Sequence, residues 1–114
     1  MNITGRPVMQ KAPRYENRRL LNLAHQAPCF ATFPHDCKQY QGCVPAHANW
    51  LIFNKGIGLK ASDWAWASMC PRAHDIIDRR IPSDMTEEML QQEWMRAFIS
   101  TQDYLWTQKK VRVA

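Results

Sequence analysis

The sequence predicts a small α+β domain in which two short strands precede a helix and a long C-terminal helix follows. Three observations indicate this class: an apolar stretch at 42–48, an alternation of large and small residues at 64–69, and a helical period of apolar residues at 86–108. A chain of 114 residues has room for one modest core. We therefore expect one domain at 14–114, preceded by a flexible arm at 1–13.

The first half of this domain contains a short helix, a loop with two cysteines and the first strand. Apolar residues within 14–26 suit the helix, which we expect to end at Pro28 because a proline disfavours helical backbone before it. A glycine-punctuated segment at 49–62 separates the two strands and is predicted to be a loop.

The second half carries two helices. Pro71 suits the first turn of a helix that bears His74 and Asp78. The segment at 86–108 has acidic residues in its first turn and lysines at its end, as the helix dipole favours. The apolar stripe of this last helix, which we expect to face the core, comprises Met89, Leu90, Trp94, Ala97, Phe98, Thr101 and Leu105.

The charge of the chain favours a polyanionic partner. Its formal net charge is +5 and its isoelectric point is near 9.3. No stretch reaches the roughly 18 apolar residues of a membrane span, and a signal-peptide layout is not seen, so we expect a cytoplasmic protein. The basic residues nearest the central motif, expected to contact nucleic acid, are Lys55, Lys60, Arg79 and Arg80.

Four cysteines indicate a metal rather than disulfides, because the cytoplasm keeps thiols reduced. Seven, five and twenty-six residues separate them in turn, which is not a pair of Cys-x-x-Cys motifs. They are Cys29, Cys37, Cys43 and Cys70.

The central motif places four chemically active side chains on strand, strand and helix. His74 and Asp78 are four residues apart and share one helical face, where an imidazole and a carboxylate can hold a divalent cation. His47 closes the first strand and, as a neutral imidazole, can deprotonate an attacking water. Asp63 can accept a hydrogen bond or fix the loop that aims this imidazole. The alternatives are a structural histidine and a simple His–Asp salt link.

Three segments carry a family resemblance: Val-Pro-Ala-His at 44–47, a glycine loop ending in Lys-x-x-Asp at 54–63, and Cys-Pro-Arg-Ala-His-x-x-x-Asp at 70–78. Together they resemble small phage and prophage nucleases with an HNH (ββα-metal, His-Me finger) core, over roughly residues 18–112. The resemblance implies an endonuclease of the bacterial host cytoplasm that hydrolyses phosphodiester bonds, with DNA as the expected substrate. It also implies a catalytic divalent ion: Mg²⁺, Mn²⁺, Ni²⁺ or Zn²⁺.

The resemblance assigns catalytic roles to His47, Asp63 and His74. His47 matches the general base and His74 the metal-binding histidine of the helix. Asp63 stands where HNH enzymes commonly carry Asn. Asp78, the second expected ligand of the catalytic ion, matches a position that is His in colicin-type nucleases.

Two positions depart from the family pattern. Ala46 stands where many HNH enzymes carry a further metal ligand, and Ala73 replaces the second cysteine of the family's Cys-x-x-Cys. We expect Cys43 to compensate, with His35 as a substitute for one of the cysteines. The expected ligands of a structural Zn²⁺ are then Cys29, Cys37, Cys43 and Cys70. The alternative is that Cys43 and Cys70 are buried thiols and bind no zinc.

Two other functions remain open from the sequence. The first is a zinc-stabilised nucleic-acid-binding phage protein without catalysis, which the missing ligand at Ala46 favours. The second is a degenerate HNH fold that binds a host protein, with Trp50, Ile52 and Phe53 as its contact surface.

Overall fold

Two strands and three α-helices make up the described part of the chain, residues 15–48 and 62–112, in a computed structural model. Strands β1 (Val44–His47) and β2 (Trp66–Met69) pair antiparallel, with His47 opposite Trp66. Both lie within the predicted strand segments, so the two-strand prediction is confirmed. The predicted arm, and all of the predicted glycine loop except Ser62, lie outside the described residues.

Helix α1 (Arg18–Asn22) continues as a 3₁₀ turn over Leu23–Gln26, and both lie within the predicted segment. Asn17 caps α1, because its side-chain oxygen accepts a hydrogen bond from the backbone N–H of Leu20 at 3.1 Å. A second 3₁₀ turn, Gln39–Gln41, precedes Gly42.

Gly42 occupies a position that excludes a side chain. Its φ is +89°, and a Cβ there would lie 2.4 Å from the His25 ring. Glycine at this position therefore lets the end of the loop at 29–42, called the cysteine loop below, lie directly against the 3₁₀ turn after α1.

A single residue, Cys70, separates β2 from helix α2 (Pro71–Ile77), and this helix contacts both strands. Pro71 occupies its first turn as predicted. Helix α3 (Glu87–Thr107) begins after Thr86, whose side chain accepts a hydrogen bond from Met89 N–H at 3.2 Å. In the described part of the chain, no helix has both the length and the apolar character that a membrane crossing requires.

Both α2 and α3 end in a Schellman motif with a basic residue at the left-handed position, where glycine is usual. Arg79 has φ +61° and Lys109 has φ +55°. After α2, Arg80 N–H donates to Asp75 O at 2.8 Å; after α3, Lys110 N–H donates to Leu105 O at 2.8 Å. These bonds satisfy carbonyls of the last turns and reverse the chain sharply.

Helix α3 packs along β2, as the predicted stripe requires. Thr101 accepts a hydrogen bond from Ser68 N–H at 2.8 Å, and Trp94 donates its indole N–H to Ala46 O at 2.8 Å. The prediction for Met89 was wrong, since its side chain is 47% exposed. Met89 directly precedes Leu90, the first residue of the buried row, and one residue corresponds to a rotation of about 100° around the helix. That row is Leu90, Trp94, Ala97, Thr101 and Leu105.

Candidate metal centre

Four side chains gather where the cysteine loop meets the start of α2. One ligand atom each of Cys29, His35, Cys37 and Cys70 lies within 4.8 Å of the other three. Tetrahedral ligands about 2.0–2.3 Å from zinc are roughly 3.3–3.8 Å apart, so a slight contraction would complete such a site. Within residues 15–48 and 62–112, no other group of three or more His, Cys, Asp or Glu side chains has this arrangement.

Backbone and side-chain hydrogen bonds join this loop to the end of β2. Phe30 N–H donates to Ser68 O at 2.9 Å, and the Ser68 hydroxyl donates to Pro28 O at 2.7 Å. Cys70 N–H then points at Cys29 Sγ, 3.2 Å away. The loop ligands and Cys70, which are distant in sequence, are therefore adjacent.

Cys70 has a second role as the N-cap of α2. Its sulfur accepts a hydrogen bond from Ala73 N–H at 3.4 Å. The fully buried Ala73 contributes only this backbone N–H, so the second position of the family's cysteine pair supplies no ligand here.

His35 is oriented as a metal-binding histidine usually is. Its Nδ1 lies 2.7 Å from Phe33 O. Because a carbonyl oxygen only accepts, Nδ1 carries the proton, and in the neutral, metal-binding form of the ring the lone pair is on Nε2. That Nε2 atom faces Cys29 Sγ at 3.8 Å.

Cys43 lies beside this group rather than within it. It is buried next to Ser68, and its thiol is hydrogen-bonded to that of Cys29. The hydrogen bond with Cys43, together with burial, raises the pKa of Cys29 to about 12, and the same bond lowers the pKa of Cys43. Three of the four predicted zinc cysteines thus belong to the compact group, and His35 takes the fourth place in it.

His74 and Asp78 are brought together as their spacing predicts. His74 Nε2 lies 3.0 Å from Asp78 Oδ2, and both side chains are largely buried. Arg80 lies 3.7 Å from the same carboxylate oxygen and 3.4 Å from Asp75. The pair is compatible with either prediction, a metal site or a His–Asp link, because both place these atoms side by side.

His47 and Asp63 occupy different surroundings. His47 ends β1 with a half-buried side chain. Asp63 is buried, and its carboxylate accepts a hydrogen bond from Asn17 N–H at 2.6 Å while its own N–H donates to Tyr15 O at 2.8 Å. Asp63 therefore holds the start of α1 against the approach to β2, a contact that no sequence motif indicated.

The predicted nucleic-acid contacts are only partly described. Arg79 is exposed and forms an ion pair with Glu87, and Arg80 has acidic neighbours on α2. Lys55 and Lys60 lie outside the described residues.

Comparison with known proteins yields no relative. No protein-family model matches the chain, and no curated protein or solved structure matches it. Thiolate and imidazole ligands in a closed, four-ligand group suit a structural Zn²⁺ ion.

Proposed function

We propose that the protein is a metal-dependent endonuclease of the HNH type that hydrolyses DNA and is stabilised by structural zinc. One observation carries this proposal: β1, β2 and α2 follow each other as an antiparallel pair and an adjoining helix, with His47 on the first strand and the His74–Asp78 pair on the helix. That is the element order that the HNH resemblance implies.

The structural zinc ion would be held by Cys29, His35, Cys37 and Cys70. Two observations support this set: their ligand atoms are close together, and Nδ1 of His35 is engaged so that Nε2 faces the cysteines. The ion would join the cysteine loop to the first turn of α2. Binding energy of this kind adds directly to the folding free energy of a small domain.

His74 and Asp78 would hold the catalytic ion. Their 3.0 Å separation matches two adjacent ligands about 2.1 Å from an octahedral cation. When bound, such an ion neutralises charge that develops on the phosphate and assists the leaving oxygen. His47 would take the proton of the attacking water, and Asp63 would keep the segment before β2 in place.

The test is a plasmid-nicking assay on zinc-loaded protein with Mg²⁺, Mn²⁺ or Ni²⁺ added. His47→Ala should reduce nicking by about 10²–10⁴-fold, the usual contribution of a general base. His74→Ala should abolish dependence on the added ion, and Asp78→Asn should weaken its affinity. Gln92→Ala, which truncates an exposed side chain of α3 outside both candidate metal sites, is the control and should nick normally.

Zinc content and circular dichroism should be unchanged in all four variants. A wild-type protein that does not nick with any of the three ions, or equal nicking by wild type and His47→Ala, would contradict the proposal.

A second candidate function is nucleic-acid binding without catalysis. Ala46 favours it, because this buried residue has no side-chain donor where HNH enzymes often carry another metal ligand. Wild-type protein that binds DNA but does not cleave it would select this function.

A further inference from the structure

A groove of about 530 Å³ lies between α1 and the C-terminal end of α3. Leu105 forms part of its apolar floor and is 2% exposed. The groove shares no lining residue with the candidate metal centre or with the His74–Asp78 pair. It is therefore a separate surface that the proposed catalytic chemistry does not use.

Aromatic rings stand at the edge of this groove with much of their surface accessible. Tyr15 is 49% exposed and Trp106 is 50% exposed. Trp64 is 41% exposed, and its ring also packs against that of Phe98, with the two centroids 6.3 Å apart. Large exposed rings of this kind in one groove provide platforms on which flat ligands stack.

Positive charge lines the same groove. Arg19, Lys110 and Arg112 contribute to its wall, and none of its described lining residues is acidic. Within the described ranges, none of these three residues forms an ion pair. Uncompensated cations in a groove indicate an anionic ligand.

The Schellman turn after α3 explains how two of these cations reach the groove. Lys109 takes the left-handed conformation, and the N–H groups of Lys110 and Val111 return to Leu105 O. The chain therefore folds back at Lys110 and continues past α1 to Arg112. The backbone, rather than a flexible tail, positions these charges.

We propose that this groove binds single-stranded nucleic acid, with bases stacked on the aromatic rings and phosphates held by the cations. Single strands fit better than a duplex because the base faces of a duplex are already stacked on one another. The ligand is then single-stranded nucleic acid, which goes beyond the proposed function, and such binding does not require that the protein cleave it.

The test is a fluorescence anisotropy titration with zinc-loaded protein in the absence of other divalent ions. The labelled probes are a twelve-nucleotide oligo-dT and the duplex of oligo-dT with oligo-dA. Wild type should bind the single strand more tightly. Trp106→Ala should weaken this binding about 5- to 150-fold, as loss of one stacked base predicts, and Trp106→Phe should retain most of it. Tyr40→Ala, whose ring is 78% exposed outside the groove, is the aromatic control.

The charge test uses the salt dependence of the same affinity. Arg19→Ala and Lys110→Ala should each reduce the slope of log affinity against log salt by about 0.7, one phosphate contact on a single strand. Arg96→Ala, an exposed cation of α3 outside the groove, should leave it unchanged.

Three results would overturn the inference: preference for the duplex, equal losses in groove and control variants, or equally tight binding of poly-glutamate, which would make the groove a general polyanion site. The two proposals can fail separately. A protein that binds the single strand but never nicks refutes only the nuclease, and a nicking protein whose groove variants bind normally refutes only the groove.

Discussion

Trp66 and Trp94 are both fully buried, but their indole N–H groups have different environments. Trp94 donates to Ala46 O at 2.8 Å, whereas the N–H of Trp66 has no acceptor among the described residues. Trp→Phe removes the same atoms at both sites. Trp94 also stacks on Phe98, with the ring centroids 5.0 Å apart, and a phenylalanine ring can keep such a contact, so the hydrogen bond is the main difference.

We expect Trp94→Phe to lower the free energy of unfolding by about 0.5–1.5 kcal/mol more than Trp66→Phe, because only the former removes a hydrogen bond. Urea denaturation of the zinc-loaded proteins, followed by circular dichroism, measures the difference. Equal losses would mean that the Trp94 hydrogen bond contributes no net stability.

The fourth zinc ligand is decided by comparing His35 with Cys43. His35→Ala should release zinc, whereas Cys43→Ser should keep one bound ion, because His35 belongs to the compact group and Cys43 lies beside it. Elemental analysis gives the stoichiometry, and the absorption spectrum of the Co²⁺-substituted protein distinguishes three sulfurs and one nitrogen from four sulfurs. Zinc loss from Cys43→Ser with retention in His35→Ala would reverse the assignment.

Sequence reasoning chose Cys43 as the fourth zinc ligand, with His35 only as a substitute, whereas the structure places His35 in the group and Cys43 outside it. Cys43 and His35 were both named, since Ala73 left one position of the zinc set open. The choice depends on the Phe33 carbonyl, which orients the imidazole, and on the contact of Gly42 with His25, which fixes the end of the loop. Neither contact leaves a periodic signal in the sequence.

At the scale of elements, the left-handed residue after α3 gives a stability prediction. A side chain at this position costs about 1–2 kcal/mol that glycine avoids. Lys109→Gly should therefore raise the melting temperature by roughly 4 °C or more. Lys110→Gly is the control and should not stabilise, because Lys110 does not have a positive φ. A lower melting temperature for Lys109→Gly would show that the lysine side chain stabilises this turn.

The helices were predicted within a few residues, because local chemistry determines their ends. Pro71 and Thr86 each occupy a position that their side chains favour, and the buried row of α3 has a helical period. Met89 was misplaced because it directly precedes the buried Leu90 at the start of α3, where the period alone does not define which residues face inward. The anchoring of α1 by Asp63 was not predicted, since it joins segments that are distant in sequence.

For the whole molecule, metal binding and proton binding should compete. The raised pKa of Cys29, about 12, keeps its thiol protonated at neutral pH in the metal-free fold. Zinc requires the thiolate, so its uptake releases protons and its affinity rises with pH. We expect the apparent zinc affinity to increase at least about tenfold per pH unit from pH 6 to 8. Chelator competition measures it, and a pH-independent affinity would contradict the role of Cys29 as a ligand.

The position of Cys70 in the candidate metal centre also has a consequence for synthesis on the ribosome. Cys29, His35 and Cys37 emerge together and form an incomplete site, whereas Cys70 arrives only after the whole of β2. An ion captured early would exchange quickly until Cys70 joins it. Zinc exchange from stalled nascent chains should thus slow abruptly once Cys70 has left the exit tunnel, and the same event would fasten the cysteine loop to the nascent α2.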